Sequence, residues 1–332
     1  MLVVTMSVKS QNLFVGTYTD GTSQGVYAYD FNSDTGVISN KTLQVKTAQP
    51  SFITFGASKE IMYAVNELED GKVSVFIKEG DIFKLVQEKS TFGAHPCHIT
   101  YLETGYVSIS NYTGGNVVIY GLDKNGLLKE EPQVFDQNTS DVKAHAHFSK
   151  FVNGDLLVSD LGRNRIFKYI GQTDKLQPAS PLAEWSINAG PRHFDTHGNF
   201  LYAISEYANT IDVFDLNGKH LQKISTLREG FKGDSYCADI HVSKDGNYVY
   251  GSNRGENSIV IFKRGENGLI SYHSTYDVKG DWPRNFTMDP SGKWLLVANQ
   301  KSDNISVFRI DNAGKMEFKN SYSIGAPVCL VF

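Results

Sequence analysis

The sequence predicts an all-β protein, a seven-bladed β-propeller of four-stranded blades, on three observations. The composition is that of pleated sheet and tight turns: 20 Phe, 17 Tyr and 3 Trp with 30 Gly and only 9 Pro in 332 residues. A short apolar stretch closed by a small or polar residue recurs seven times, as LFVGTY, MYAVNE, VSISNY, LLVSDL, LYAISE, VYGSNR and LLVANQ. Its closing residues, Thr17, Asn66, Asn111, Asp160, Ser205, Asn253 and Asn299, follow one another at 49, 45, 49, 45, 48 and 46 residues, a mean of 47. Finally, the repeat is out of phase with the chain ends, so that one copy is split between them.

Each recurring stretch reads as the second strand of a blade. After it comes a polar turn and a third strand of alternating pattern: GVYAYDF, KVSVFI, NVVIYGL, RIFKYI, TIDVFDL, SIVIFKR and NISVFRI. Before it stands the innermost strand, in chain order PSFITF, PCHITYL, AHFSKF, PRHFDTH, ADIHVS, PRNFTMD and, at the C-terminus, PVCLVF. LFVGTY has no such segment before it and PVCLVF has nothing after it, so the tail is expected to complete the first blade and close the ring. A single domain over 1–332 is the expected organisation.

Composition excludes several classes of function. With 40% hydrophobic and 20% charged residues the chain can bury a large core, which argues against disorder. The balance of 32 basic and 36 acidic residues, a net charge of −4, is the wrong sign for a phosphate-gripping nucleic-acid binder. No apolar run approaches a bilayer span, and MLVVTMSVKSQ lacks a secretion signal's basic start and apolar stretch. Cys97, Cys237 and Cys329 are odd in number and scattered, as expected of reduced thiols. A cytoplasmic protein with no membrane or nucleic-acid partner is expected, and a monomer, because a closed ring needs no second copy.

Antiparallel strands place the start of each innermost strand and the end of each second strand on one face, around the channel mouth. The turns that fall on the other face, Ala57–Lys59, Asn153–Gly154, Lys244–Gly246 and Pro290–Gly292, are ordinary. The mouth collects His95, His98, His145, His147, Arg192, His193, Asp239, His241, Arg284 and Asn285 from the first set. From the second set come Glu67, Asn111, Asp160, Glu206, Asn253, Arg254, Asn299 and Gln300. Six of the nine histidines fall there, and convergent polar groups in a concavity mark a site. More modest readings stand beside this one. Arg192 and Arg284 could brace carbonyls of neighbouring strands, and asparagines recurring at one repeat position suit a strand-end role. Glu206 differs from its counterparts in every other copy save Glu67, which is the behaviour of a specificity residue.

FVGTYT, GPRH, the IHVSKDGNYVYGSNRG segment, the PRNFTMDPSGKWLLVANQKSDNISVF segment and PVCLVF together resemble the seven-bladed β-propeller lactonase family, across nearly the whole chain. That family contains bacterial 6-phosphogluconolactonases and a fungal lactone-forming relative, the carboxymuconate cyclase. The resemblance implies hydrolysis of 6-phospho-D-glucono-1,5-lactone to 6-phospho-D-gluconate, a step of the pentose phosphate pathway, with a phosphosugar lactone as partner and neither cofactor nor metal. The fungal relative works with a His, two Arg and a Glu. Matched motif by motif these become His147 of HAH, Arg192 of GPRH, Glu206 after LYAIS and Arg254 of SNRG, with Arg284 the competitor for the last place. Asp239 departs from the family, where many relatives carry Glu.

Lactone opening needs a proton acceptor, a partner for the oxyanion and a grip on the substrate. Glu206 or His147 is the candidate base and Arg192 the candidate oxyanion partner. Arg254 or Arg284 suits a phosphate, which prefers a forked guanidinium. His98, Asn111, His145, His193, Asn253 and Arg284 complete the expected substrate-binding set. Two decoys are set aside. GTSQG around Ser23 is followed by a strand rather than the helix a nucleophile elbow needs, and HAH would need His98 or Asp160 as a third ligand to hold zinc. A lactone-forming cycloisomerase, another lactonase and a non-catalytic protein-binding propeller are the alternatives.

Overall fold

The computed structural model describes residues 10–332, so the start of the chain on which the secretion reading rests lies outside the described residues. There are seven four-stranded antiparallel sheets and, among the described residues, no helix. Blade 1 is completed by the tail, in the order Pro327–Val331, Ser10–Thr17, Gly25–Asn32 and Ile38–Lys46. In the others each strand pairs with the next in sequence, and the innermost strands of blades 2 to 7 are Ile53–Phe55, Pro96–Leu102, Ala146–Val152, Pro191–His197, Tyr236–Val242 and Pro283–Met288. The result is the seven-bladed propeller read from the repeat.

The two inner faces of every blade are apolar because each blade packs against two neighbours. Within Ser10–Thr17, Leu13 and Val15 join Trp294, Leu296 and Ile305 of blade 7, while Phe14, between them, joins Ile53, Met62 and Phe76 of blade 2. Alternate side chains of one strand therefore serve two interfaces. Seven such clusters, one per pair of neighbours, make up the core. Second strands are buried on both faces and read as nearly continuous apolar runs, as in Ile61–Asn66. Fourth strands face solvent and carry one or two anchors among polar residues, as Phe83 does in Ile82–Ser90.

Tail and head meet in register, with Val15 opposite Leu330 and Gly16 opposite Cys329. Gly16 is required by this closure, since a Cβ there would stand 2.5 Å from the Pro50 carbonyl oxygen and 3.1 Å from Cys329 Cβ. Val328, Cys329 and Leu330 are all buried. Removing residues 327–332 would bare the edge of Ser10–Thr17 and strip blades 1, 2 and 7 of shared core. The truncated chain should lose its single cooperative melting transition, followed by circular dichroism. Leu330→Ala alone should cost about 2–4 kcal/mol in urea unfolding, the usual cost of a buried Leu→Ala cavity. A truncated chain that melts as the intact one does would refute ring closure as the source of stability.

Candidate active site

One backbone device builds the mouth. In the innermost strands of blades 3, 4, 5 and 7 the register slips by one residue between Pro96 and His98, Ala146 and Phe148, Pro191 and His193, and Pro283 and Asn285. The tail strand slips likewise between Pro327 and Cys329. Such a bulge leaves an extra residue out of the ladder and re-aims its side chain. The extra residues are Cys97, His147, Arg192, Arg284 and Val328, and all five line one narrow cavity in the channel, together with Ser51 at the equivalent place in blade 2. Blade 6 has a wider irregularity, between Cys237 and Ile240, and places Ala238 there.

The residue after each bulge forms a floor. Phe52 packs on His98 with centroids 4.4 Å apart, His98 on Phe148 at 4.3 Å and Phe148 on His193 at 4.7 Å. His193 Nδ1 lies 2.8 Å from Asp239 Oδ1, and Asn285 Nδ2 donates to Asp239 Oδ2 at 2.7 Å. Asn285 Oδ1 then accepts the backbone N–H of Leu330 at 2.8 Å, which joins this belt to the closing strand. Asp239 also receives His241 Nε2 at 3.1 Å. Burial alone would raise its carboxyl, but His241 and His193 hold it well below the usual carboxylate range. His241 is displaced upward, its burial outweighed by Asp239. His98 and His193 are held neutral: burial lowers both, the first well below the usual range and the second to about 4, with His193 and Arg192 respectively adding to the effect.

A third layer, above the cavity, is supplied by the residue after each second strand. Glu206 stands between two guanidinium groups, with Arg192 Nε at 3.1 Å and Arg254 Nη2 at 2.8 Å from its Oε2. Arg192 is almost fully buried and its Nη1 donates to the Ala238 carbonyl at 2.5 Å, so it does brace a neighbouring strand. Its Nε–H, however, is out of line with Glu206 and makes no hydrogen bond. Burial, with Arg254 and Arg284 nearby, brings Arg192 down to about 9. Arg254 donates from Nε to Tyr236 O at 3.2 Å and from Nη2 to Cys237 O at 3.1 Å. Across the mouth, Glu67 accepts the Tyr18 hydroxyl at 2.9 Å and lies 3.8 Å from Arg284 Nη2, whose guanidinium sits over the Tyr18 ring.

His147 is buried, with its ring edge towards His193 at 5.0 Å and Tyr112 at 5.9 Å. Its Nδ1 is buried and has no hydrogen-bond partner. Burial and then the Arg192 charge hold it well below the ordinary imidazole range, so it is neutral at pH 7.

Of the ten site residues expected from the sequence, the structure brings His147, Arg192, Glu206, Arg254 and Arg284 together, with His193 in the cavity wall. Asn111 and Asn253 are placed differently from expectation. Both are fully buried, outside the cavity lining, with Nδ2 donating to Thr91 O at 2.7 Å and Thr226 O at 3.0 Å, which ties each strand end to the incoming segment. His98 is a floor residue whose Nδ1 accepts Ser149 N–H at 3.4 Å. His145 stacks on Tyr112 with centroids 4.6 Å apart and turns its Nδ1 to the Tyr112 carbonyl. Asp160 is spent on the backbone N–H groups of His145 and Arg163, and among the described residues no group of three His, Cys, Asp or Glu is disposed to hold a metal ion. Tyr18 and Trp282 were missed. Tyr18 was detectable as the blade 1 counterpart of Glu206. A roomier concavity lies on the opposite face between blades 6 and 7, lined by turn residues such as Lys244, Asp245 and Gly292, away from the charged layer.

The sequence model of the family described as "Lactonase, 7-bladed beta-propeller" matches residues 12–332. The chain is 34% identical to the 6-phosphogluconolactonase of Formosa agariphila over 92% of its own length and 94% of the relative's. It is 26% identical to the 6-phosphogluconolactonase of Bacillus subtilis, covering 96% and 97%. Its fold superposes on the periplasmic gluconolactonase PpgL of Pseudomonas aeruginosa with a TM-score of 0.87 at 26% identity, covering 96% and 98%.

Three neutral buried imidazoles make the fold acid-sensitive. Unfolding lets His98, His147 and His193 take up protons below about pH 6.5 that the folded protein refuses, so stability falls as the pH drops from 6.5 towards 4. Protonation of Asp239 adds a loss below that, and His241 works in the opposite sense. The urea midpoint should be clearly lower at pH 5 than at pH 7, and His98→Phe, copying Phe52 and Phe148, should flatten part of that slope. Equal midpoints at the two pH values would contradict the neutral state of the floor.

Proposed function

The chain belongs to the seven-bladed β-propeller lactonase family, a class of carboxylic ester hydrolases, and on that premise we propose that it opens 6-phospho-D-glucono-1,5-lactone to 6-phospho-D-gluconate at the channel mouth. The observation that carries the reading is convergence: His147, Arg192 and Arg284, all at bulge positions, line one cavity, and the buried Nδ1 of His147 has no hydrogen-bond partner among the described residues.

A water placed against His147 Nδ1 attacks C1 of the lactone and gives its proton to the imidazole. The carbonyl electron pair moves onto oxygen, which faces the unspent Nε–H of Arg192 and the guanidinium of Arg284. Collapse of the adduct breaks the bond from C1 to the ring oxygen, and that oxygen takes the proton back from His147. The new carboxylic acid then releases one proton to solvent. An anionic substrate between the arginines offsets the charge that depresses His147 and so raises its basicity when it is needed. Glu206, engaged by Arg192 and Arg254, acts as a positioning residue that aims both guanidinium groups.

A second reading, hydrolysis of an unphosphorylated sugar lactone, is favoured by the likeness to the Pseudomonas gluconolactonase. We place the protein in the cytoplasm, in keeping with its three unpaired, buried cysteines.

Freshly generated 6-phosphogluconolactone decays on its own, and the chain should accelerate that decay, read as 6-phosphogluconate formed. Decay no faster than in buffer would end this reading. His147→Gln should lower kcat/KM by about 10²–10⁴-fold with little change in Tm, since Nδ1 makes no structural bond. Arg192→Ala should lose activity and also about 2–5 kcal/mol of stability, because it empties the space of a buried side chain and removes the donor to the Ala238 carbonyl.

A further inference from the structure

The rim between blades 6 and 7 carries cations that the reaction scheme leaves unused. Trp282 immediately precedes the innermost strand of blade 7 and has a φ of +66°, a region that bulky side chains avoid. The turn itself calls for this backbone. Gln49, His95, Gly190 and Ala326 stand at the same repeat position, each before a proline, and all have positive φ. Trp282 N–H donates to Asn257 Oδ1 at 2.9 Å and its carbonyl accepts Gln300 N–H at 3.1 Å. Glycine, as at Gly190, would make both bonds without strain, so the turn does not explain an indole.

What the indole does is gather positive charge. Lys301 Nζ lies 3.2 Å from its ring centroid and the guanidinium carbon of Arg254 lies 5.3 Å from it. Those two distances keep the cations within 8.5 Å of each other around one indole, close enough for an anion at the rim to be attracted by both. The two cations are short of acidic partners. Among the described residues no carboxylate lies within 4 Å of Lys301, and Glu206, the partner of Arg254, is shared with Arg192. Asp281, next to Trp282, turns its Oδ1 to Asn257 Nδ2 at 2.7 Å. Glu256 is occupied by Asn253, Ser258 and the Arg228 N–H. Two arginines thus share one carboxylate and Lys301 has none in reach, and among the described residues Arg254 Nη1 makes no hydrogen bond. Two like charges held this close repel unless an anion lies between them.

We propose that Arg254 and Lys301, held by Trp282, bind the phosphoryl group of the substrate, so that this rim selects a phosphorylated over an unphosphorylated sugar lactone. The assignment rests on the reading of the mouth as a lactonase site. It also fits the depth of the site: the reacting carbonyl descends to His147 and Arg192, while the heavily hydrated phosphoryl end stays at the solvent edge, where Lys301 is exposed. Arg284, lower in the cavity and facing Glu67 and Tyr18, is left for the lactone end.

Calorimetric titration of the full chain with 6-phosphogluconate and with gluconate tests this assignment without turnover. The wild type should bind 6-phosphogluconate at least tenfold more tightly than gluconate, and the preference should shrink as salt is raised. Lys301→Ala should lose about tenfold for 6-phosphogluconate while its gluconate affinity moves by less than twofold. Trp282→Gly should show the same selective loss with an unchanged or higher Tm. Absence of any preference in the wild type, an unaltered preference in Lys301→Ala, or an equal loss for both acids would overturn it. A chain that prefers the phosphorylated acid yet fails to speed lactone decay would sink the hydrolase reading and leave the rim assignment standing.

Discussion

Pairing of the C-terminal strand Pro327–Val331 with Ser10–Thr17 is the contact on which the rest of the molecule depends. A ring of blades packed only side by side would present one unpaired inner edge and two uncovered apolar faces. With the tail in place, every blade has a neighbour on both sides, and the seven core clusters form a closed series. The same closure sets the geometry of the mouth. Asn285 holds both the floor carboxylate Asp239 and the backbone of Leu330, so the charged layer is tied to the strand that seals the ring.

The site is a product of repetition with local exceptions. In five blades a bulge at the start of the innermost strand turns a side chain into the channel. The scaffold there is general, and only residue identity distinguishes the blades. Val328, Ser51 and Cys97 make one side of the cavity small and weakly polar, while His147, Arg192 and Arg284 give the remainder its basicity. Below them the floor excludes water by aromatic packing. Above them two carboxylates, Glu206 and Glu67, keep three arginines extended in a space that would otherwise scatter like charges. Leaving a buried arginine without a partner is costly, and these two half-buried acids supply partners at 2.8 to 3.8 Å.

Much of this was legible beforehand. The period of 47, the three strand types and the split blade are local patterns of apolar alternation, and each blade repeats them. Antiparallel pairing then places strand ends on one face without coordinates, which is why His147, Arg192, Glu206, Arg254 and Arg284 could be named together. The asparagines were less tractable. Asn111 and Asn253 lie near the mouth in sequence terms, but their amides satisfy carbonyls of the incoming segment, the strand-end role that their recurrence at one repeat position suits and that their place at the mouth obscured. Histidine was equally ambiguous: His98 and His147 are the same residue type but lie one layer apart in space, because one follows the bulge and the other is the extra residue itself.

Architecture was therefore settled by the chain's own periodicity, since strand alternation and turn residues act over a few neighbours and seven copies reinforce one another. Which side chains share a charge was settled by folding alone. Whether Arg192 meets Glu206, whether Tyr18 reaches Glu67 and whether Trp282 gathers Lys301 and Arg254 depend on bulge register and on segments 14 to 49 residues apart in the chain coming within a few ångströms. Electrostatic pairing is a function of distance, and those distances exist only once the ring has closed.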